Sequence, residues 1–550
     1  MGRFSTTIIF FLLILIIVVP VVIPYFHAGY FPTHDGEWAV VRLGDMFRQL
    51  KDMQFPPRYS GALNFGYGYP LFNFTYPFPY YLGVIFYLPV KSFVLSIKTI
   101  FVLSVFLSSI FMYMASSALW KNRLAGVVSA ILYIYLPYRM VDLYVRGSIG
   151  ESMAFALFPL ILYLCLKLFE SPFARFPVVL LSFMIAVLVM THNIMTILFL
   201  PVLVGFVLVR IISEKRWDVF QSFFLCLFLG AALSSFFWFP ALFEKGNILL
   251  SKIPIADRNL YFVKPLQLLI PSWGYAPPTE TGGFSYQLGI PQILVIVSIV
   301  LILCQSLAKQ RLNLTPAKFY ALLLVIIYGI CLVMMFSFTS FVWHLPLLKE
   351  INYPWTLLSQ LGFITALVAG FLVIQHKFIK YFVLVLCVIS VVLVFPYSRP
   401  KEFVNRGDQF YLTNEATTTS SSELMPLWAK DKPNEHFKDK VEVLSGNANI
   451  SNLEAKSNRI FFHYKADSPT VFRINTIYYP GWKAYLNNDN VVINYKNNKG
   501  VMEIEANQYR DSILLTFQET FPRVIADTVS IVAVLVIAFI LLRPILLFKS

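Results

Sequence analysis

The sequence predicts a polytopic α-helical membrane protein with a C-terminal extracytoplasmic β-sandwich and a final transmembrane anchor. Of its 550 residues, 58% are hydrophobic and 13% charged, with a mean hydropathy of +0.68; average soluble chains carry roughly 25% charge. Apolar runs of the roughly 20 residues needed to cross a bilayer core of about 30 Å recur along the chain, about 12 times. Late in the sequence this pattern gives way to period-two alternation between apolar and polar residues.

Taken in order, the apolar runs lie near 7–26, 93–118, 123–139, 150–168, 174–190, 195–213, 219–240, 290–308, 318–339, 355–375, 379–396 and 523–545. The first follows Arg3 as a signal peptide would, but its length and the lack of a small-x-small cleavage site favour an uncleaved anchor. Tyr76 to Val90 is apolar too, yet short and broken by Pro77, Pro79 and Pro89. It fits a span or an element lying on the membrane. Charge separates the two. If it does not cross, the basic residues Lys121 and Arg123, Lys167 and Arg175, Lys215 and Arg216, Lys309 and Arg311, Lys377 and Lys380, and Lys549 all fall on the cytoplasmic side with Arg3. Both termini are then cytoplasmic, and the chain resides in the cytoplasmic membrane.

That topology divides the chain into a multi-span membrane domain (1–396), an extracytoplasmic β-rich domain (397–522) and an anchor (523–550). It sends outward a first loop (27–92), the turn Tyr138 to Glu151, the Thr191-His192-Asn193 junction, a large loop (241–289) and the hinge Trp343 to Trp355. In the β-rich region, after a low-complexity piece from Thr417 to Ser422, Phe472 and Ile474 alternate with Arg473 and Asn475. Met502 and Ile504 alternate with Glu503 and Glu505, and Ile513, Leu515 and Phe517 follow. Turn clusters at Pro480-Gly481, Asn487 to Asn490 and Asn497 to Gly500 separate these runs. The net charge of +15 reads as cytoplasmic loops plus contacts to anionic lipid phosphates; the partner is the bilayer, not nucleic acid. The five cysteines all fall in apolar runs, so neither a disulfide framework nor a zinc site is expected.

The first loop opens with Thr33-His34-Asp35-Gly36-Glu37-Trp38, and Ala39, Val40, Leu43, Met46, Phe47 and Leu50 then recur at helical spacing. Asp35 at the start of this helix has two readings: an N-cap accepting from first-turn amides, or a base taking a proton from an acceptor hydroxyl at the membrane face. Glu37 is a second candidate base. Asp35-Gly36-Glu37 is also compatible with a divalent cation, although two carboxylates alone are a weak metal signal. Arg146 can grip phosphate oxygens bidentately or simply pair with Glu151. His192 beside Asn193 reads as a site residue or a satisfied interfacial histidine. Arg258 and Lys264 in the large loop are candidate phosphate contacts or merely solvated, and Trp273 and Tyr275 suit a sugar or prenyl groove.

The order of the Thr33-His34-Asp35-Gly36 loop, Tyr144-Val145-Arg146-Gly147-Ser148-Ile149-Gly150-Glu151, Thr191-His192-Asn193, the hinge Leu345 to Trp355 and Tyr479-Pro480-Gly481-Trp482 resembles a bacterial membrane family. That family is labelled pyruvoyl-tetrahydropterin-synthase-related and is similar to the YfhO-like proteins of the GT-C glycosyltransferase superfamily. The resemblance implies a GT-C scaffold, whose enzymes take sugars from polyprenyl-phosphate carriers and use an acidic residue of the first outer loop. It makes Asp35 the candidate base, with Glu37 beside it. His34, Arg146, Glu151, His192, Asn193, Arg258 and Lys264 are then candidate substrate and phosphate contacts, and the acceptor is a glycan, lipid or protein. In the family pattern an Arg follows the Pro-Trp pair; here Thr356 stands there. The pterin label predicts no pterin chemistry, since the clustered histidines of a zinc-dependent pterin enzyme are missing.

Two other classes compete with a transferase. A coupled transporter places ionisable groups or broken helices near the bilayer midplane, where this sequence shows almost no charge. A non-catalytic envelope scaffold would bind glycan through the β domain and tolerate loss of Asp35.

Overall fold

A computed structural model describes residues 3–278, 282–310, 315–412, 422–506 and 511–542. Arg311, Lys549 and most of the stretch Thr417 to Ser422 lie outside the described residues. The protein is a multi-pass membrane protein: among the described residues eight helices are long and apolar enough to cross a bilayer, or ten spans if each of two bent pairs counts as one. The described residues thus account for eight to ten of the 12 spans expected. Arg175–Thr191 has 17 residues, a rise of about 26 Å that falls short of the core thickness. The described apolar part of the first run is only Leu12–Phe26. Phe78–Val90, at 13 residues, rises about 20 Å and is too short to cross.

The bent pairs bear on function. Arg123–Ile134 and Pro137–Arg146 meet at 49°, because Pro137 has no amide with which to continue the first helix. What the sequence suggested was an irregular outer turn is thus helical, and it ends in a π-helical turn, Asp142–Arg146, before left-handed Gly147. Pro354–Val373 is buried along its whole length and apolar all round, which suits the centre of the bundle. Phe521–Leu542 is mostly exposed, as a lipid-facing helix would be.

Eight strands form two antiparallel sheets in the orders β1-β4-β7 and β2-β3-β8-β5-β6. They are β1 (Val441–Ser445), β2 (Ala448–Ala455), β3 (Arg459–Ala466), β4 (Thr470–Ile477), β5 (Trp482–Leu486), β6 (Asp489–Val491), β7 (Val501–Ala506) and β8 (Asp511–Phe517). Phe472, Ile474, Ile504, Ile513 and Leu515 fill the space between the sheets. Asn487 and Asn488 both have positive φ and make the two-residue β5–β6 turn. The alternation fails at Asn475, which is buried. A bulge between Ile474 and Ile477 shifts the register, and the Asn475 amide donates to the Asp439 carbonyl at 2.7 Å and to Glu442 at 2.8 Å.

The sandwich is clamped to the helices at one end of the bundle. Tyr59 of the first loop donates to the Ile477 carbonyl at 2.6 Å. Two buried arginines tie the loops to the C-terminal helix. Arg58 reaches Glu519 at 3.2 Å, Asp527 at 3.0 Å and the Phe236 carbonyl at 2.6 Å. Arg523 donates to Glu244 at 2.7 Å and to the Pro480 carbonyl at 3.0 Å. Glu244 also accepts from Asn73, Thr520 and Tyr479, so its buried charge is both paired and hydrogen-bonded, while Arg523 Nε lies 3.9 Å from Glu519.

Candidate active site

The first loop and the π-helical turn are joined through their backbones. The His34 amide donates to the Val145 carbonyl at 3.0 Å and the Asp35 amide to that of Arg146 at 2.8 Å. Two glycines allow the approach. A Cβ at Gly147 would lie 2.2 Å from Thr33 Oγ1, and one at Gly150 would lie 2.5 Å from the Thr191 carbonyl and 2.8 Å from the Tyr76 ring. The glycines of the Arg146-Gly147-Ser148-Ile149-Gly150-Glu151 segment are thus the points at which the Thr33 and Thr191 motifs meet it.

Asp35 stands at the N-cap position of Gly36–Lys51, but its side chain does not cap. Thr33 Oγ1 takes the Gly36 amide at 2.9 Å instead. The half-buried Asp35 carboxylate is therefore left for other work, which disposes of the cap as its explanation. Its charge and those of Arg42 and Arg146 all act on the buried Tyr76 hydroxyl, which burial pushes well up. Glu37 points elsewhere: burial raises its pKa, and Arg406, beside the linker to the sandwich, opposes the rise. Among the described residues no three His, Cys, Asp or Glu side chains cluster as a metal would need.

Arg146 is fixed in place by its Nη1 edge. That nitrogen pairs with Glu151 and donates to Tyr138 Oη at 3.1 Å, while the guanidinium lies 4.7 Å over the Trp355 ring. Tyr138 in turn donates to the other Glu151 oxygen at 2.5 Å. Glu151 is fully buried, and its two carboxylate oxygens are taken by Tyr138 and Arg146. The pair is buried and not the surface pair of the simpler reading, and it leaves the Nε–Nη2 edge of Arg146 without a hydrogen-bond partner among the described residues. Behind it, Asp142 is fully buried, with neither carboxylate oxygen hydrogen-bonded among the described residues and with Arg139 and Arg146 each 3.9 Å away.

His192 stacks on Tyr76 at 5.2 Å, and its Nδ1 caps the next helix by accepting the Met195 amide at 3.3 Å. Burial, with the Arg146 charge adding to it, pushes the imidazole down to about 3, so it is neutral at physiological pH. Asn193 is exposed. His34 holds the large loop through Nε2 and the Tyr275 carbonyl at 2.7 Å. The three terminal nitrogens of Arg258 are all bound to hinge carbonyls, those of Ile351, Trp343 and Lys349, so it braces the hinge and is not gathered to Asp35. Lys264 is exposed at the start of a short helical turn, likewise apart. Thr356, the departure from the family pattern, is buried and bonded to the Tyr353 carbonyl at 2.7 Å; its neighbour Trp355 supplies the contact to Arg146.

Four residues escaped the sequence reading: Arg42, Tyr76, Tyr138 and Asp142. Arg42 was findable, since it stands seven residues after Asp35 and two helical turns bring it back to the same face. Asp142 was not, because only the π-helical turn aims it inward.

An uncharacterized protein of Lactococcus lactis subsp. cremoris is 28% identical over 229 residues, 40% of this chain and 37% of that protein. The chain thus matches little more than a third of the length of this relative. The fold is similar to mycobacterial arabinofuranosyltransferase AftD (TM-score 0.47, 14% identity, 74% of this chain and 28% of that one). It is also similar to the Archaeoglobus fulgidus oligosaccharyltransferase (TM-score 0.42, 14% identity, 76% and 60%). At that level of likeness neither says anything about reaction or substrate here. The family pattern described as 6-pyruvoyl-tetrahydropterin synthase related domain, membrane protein, matches residues 72–400, a stretch that begins after Asp35 and includes Arg146, Glu151 and His192. Since this is more than half of the chain, the protein belongs to the 6-pyruvoyl-tetrahydropterin synthase related family of membrane proteins.

Proposed function

We propose that the chain is a membrane glycosyltransferase that moves a sugar from a polyprenyl-phosphate carrier to an acceptor hydroxyl at the extracytoplasmic face, with Asp35 as base. What carries this reading is the pairing of an unengaged carboxylate with an unengaged guanidinium edge, locked together by the bond from the Asp35 amide to the Arg146 carbonyl. In the reaction, Asp35 takes the proton of the acceptor hydroxyl while that oxygen attacks the anomeric carbon. The bond from that carbon to the carrier phosphate breaks, and its electron pair leaves with the phosphate. The Nε–Nη2 fork of Arg146 meets the growing charge bidentately. The acceptor is a glycan, lipid or protein hydroxyl, and the membrane is the cytoplasmic one, with both termini inside.

The test is transfer of labelled sugar from a polyprenyl-phosphate donor in reconstituted vesicles. Asp35→Asn and Arg146→Ala should each lower the rate at least about a hundredfold, the usual effect of removing a positioned base or charge stabiliser. Wild-type rates in both variants would refute the mechanism. For sidedness, a thiol introduced by Arg123→Cys should resist impermeant reagents in intact cells; labelling from outside would invert the topology.

One observation favours a second reading, a coupled transporter. Pro137–Arg146 is the second half of a broken span and buries Arg139 and Asp142, an arrangement that such proteins use to bind ions. Under this reading Asp142→Asn abolishes substrate flux, while Asp35→Asn leaves it intact and no sugar is transferred.

A further inference from the structure

A cavity of about 510 Å³ lies where the end of the first helix, the start of Phe93–Trp120 and residues 405–408 come together, and neither Asp35 nor Arg146 lines it. Phe93–Trp120 has 28 residues, a rise of about 42 Å that exceeds the bilayer core by about 12 Å. With the excess shared between its ends, Lys98, five residues in, sits at the boundary between headgroups and hydrocarbon.

The chemistry of the walls changes at that level. Lys98 is buried and donates to the Gly29 carbonyl at 2.9 Å and to that of His27, which leaves one of its three protons. Arg406 is exposed beside it, its guanidinium 4.1 Å over the Phe410 ring. Asp408 also faces the cavity, but its carboxylate accepts the Phe93 and Val94 amides at 2.7 and 2.9 Å and the Ser92 hydroxyl at 3.1 Å. The helix end therefore offers an anion nothing further, and the balance of Lys98, Arg406 and Asp408 is one positive charge. Toward the membrane the wall turns apolar, through Val102 on one side and Phe26, 74% exposed, on the other.

From this sequence of surfaces we infer that the cavity is a binding site for an anionic glycerophospholipid of the surrounding bilayer. The phosphate is met by Lys98 and Arg406, and an acyl chain lies along Val102. A sugar carrier is the other lipid phosphate at hand. The cavity suits it less, because the one carboxylate present, Asp408, is fully engaged and cannot receive an acceptor proton. A lipid held here would brace the Gly29–Tyr30 segment that leads into the first loop.

The experiment is native mass spectrometry of the purified, delipidated protein titrated with phosphatidylglycerol, phosphatidylcholine or undecaprenyl phosphate. Each cation near the membrane surface contributes about a fivefold preference for anionic lipid, so phosphatidylglycerol should be retained at least about tenfold better than phosphatidylcholine. Arg406→Gln, at an exposed position, should lower phosphatidylglycerol binding about fivefold. Val102→Trp, which fills the groove, should lower retention of either phospholipid. Undecaprenyl phosphate should not displace bound phosphatidylglycerol. Equal retention of the two phospholipids, or unchanged binding in both variants, overturns the inference. So does displacement by undecaprenyl phosphate at a lower concentration than phosphatidylglycerol itself needs, which would make this a carrier site.

Discussion

The Asp35 amide donates to the Arg146 carbonyl at 2.8 Å, and that bond depends on the absence of a side chain at residue 147. Gly147 is left-handed, with φ 63°, and any Cβ there would meet Thr33 2.2 Å away. Gly147→Ala should therefore push the first loop off the π-helical turn at a cost of about 1–3 kcal/mol. Hydrogen exchange at the Asp35 amide should speed up, and sugar transfer should fall at least about tenfold. Adding Thr33→Ala, which removes the nearest clashing atom, should restore part of both. Unchanged exchange in Gly147→Ala would show that the bond does not position Asp35.

Arg146→Lys separates charge from geometry. A lysine at this position keeps a positive charge for Glu151 and Tyr138 to hold, but it has no Nε–Nη2 edge and no planar face for Trp355. Protein yield and thermal stability should fall less than in Arg146→Ala, whereas transfer should be lost about as fully in both, roughly a hundredfold or more. A lysine variant with near wild-type turnover would mean that the phosphate needs only a nearby charge.

The residues that could be read from sequence are those whose role follows from local pattern. The amphipathic helix after Asp35, the strands around Phe472 and Ile504 and the Asn487-Asn488 turn all lie where periodicity and turn chemistry put them. The failures come from long-range packing. Whether a carboxylate at an N-cap position serves as the cap is decided by a competitor, here Thr33. Arg258 looked like a free cation because the hinge carbonyls that bind it come from a segment far along the chain. The burial of Asp142 comes with a π-helical turn that no hydrophobic period announces, and a proline break made Pro137–Arg146 helical where a turn was expected.

His192 gives a pH dependence of stability. Its folded pKa is about 3 against an ordinary 6.5, so between those values the unfolded chain binds a proton that the folded one does not. The stabilisation is complete above about pH 6.5 and is lost progressively as pH falls toward 3. His192→Asn keeps an acceptor for the Met195 amide but has no such proton. Between pH 7.5 and pH 5 the unfolding temperature in detergent should fall more for the wild type than for this variant. Parallel profiles would mean that His192 titrates normally in the folded protein.

The last prediction concerns the clamp between sandwich and membrane helices. Arg58 is 1% exposed and joins the first loop to Glu519, Asp527 and the Phe236 carbonyl. Removing one partner of a buried network strands the others, at a typical cost of about 3–5 kcal/mol. Arg58→Met should therefore destabilise the protein strongly, as measured by unfolding in detergent. The second arginine shows that the loss is one of pairing and not of bulk. Arg523→Met leaves Glu244 still bonded to Asn73, Tyr479 and Thr520, while Arg58→Met leaves Asp527 without a hydrogen-bond partner among the described residues. Combining Arg58→Met with Asp527→Leu, which removes the stranded carboxylate, should recover a good part of the stability, and the same Leu added to Arg523→Met should not. If Asp527→Leu fails to rescue Arg58→Met, the clamp is held by apolar packing around Tyr59 and Trp482 and not by the ion pairs.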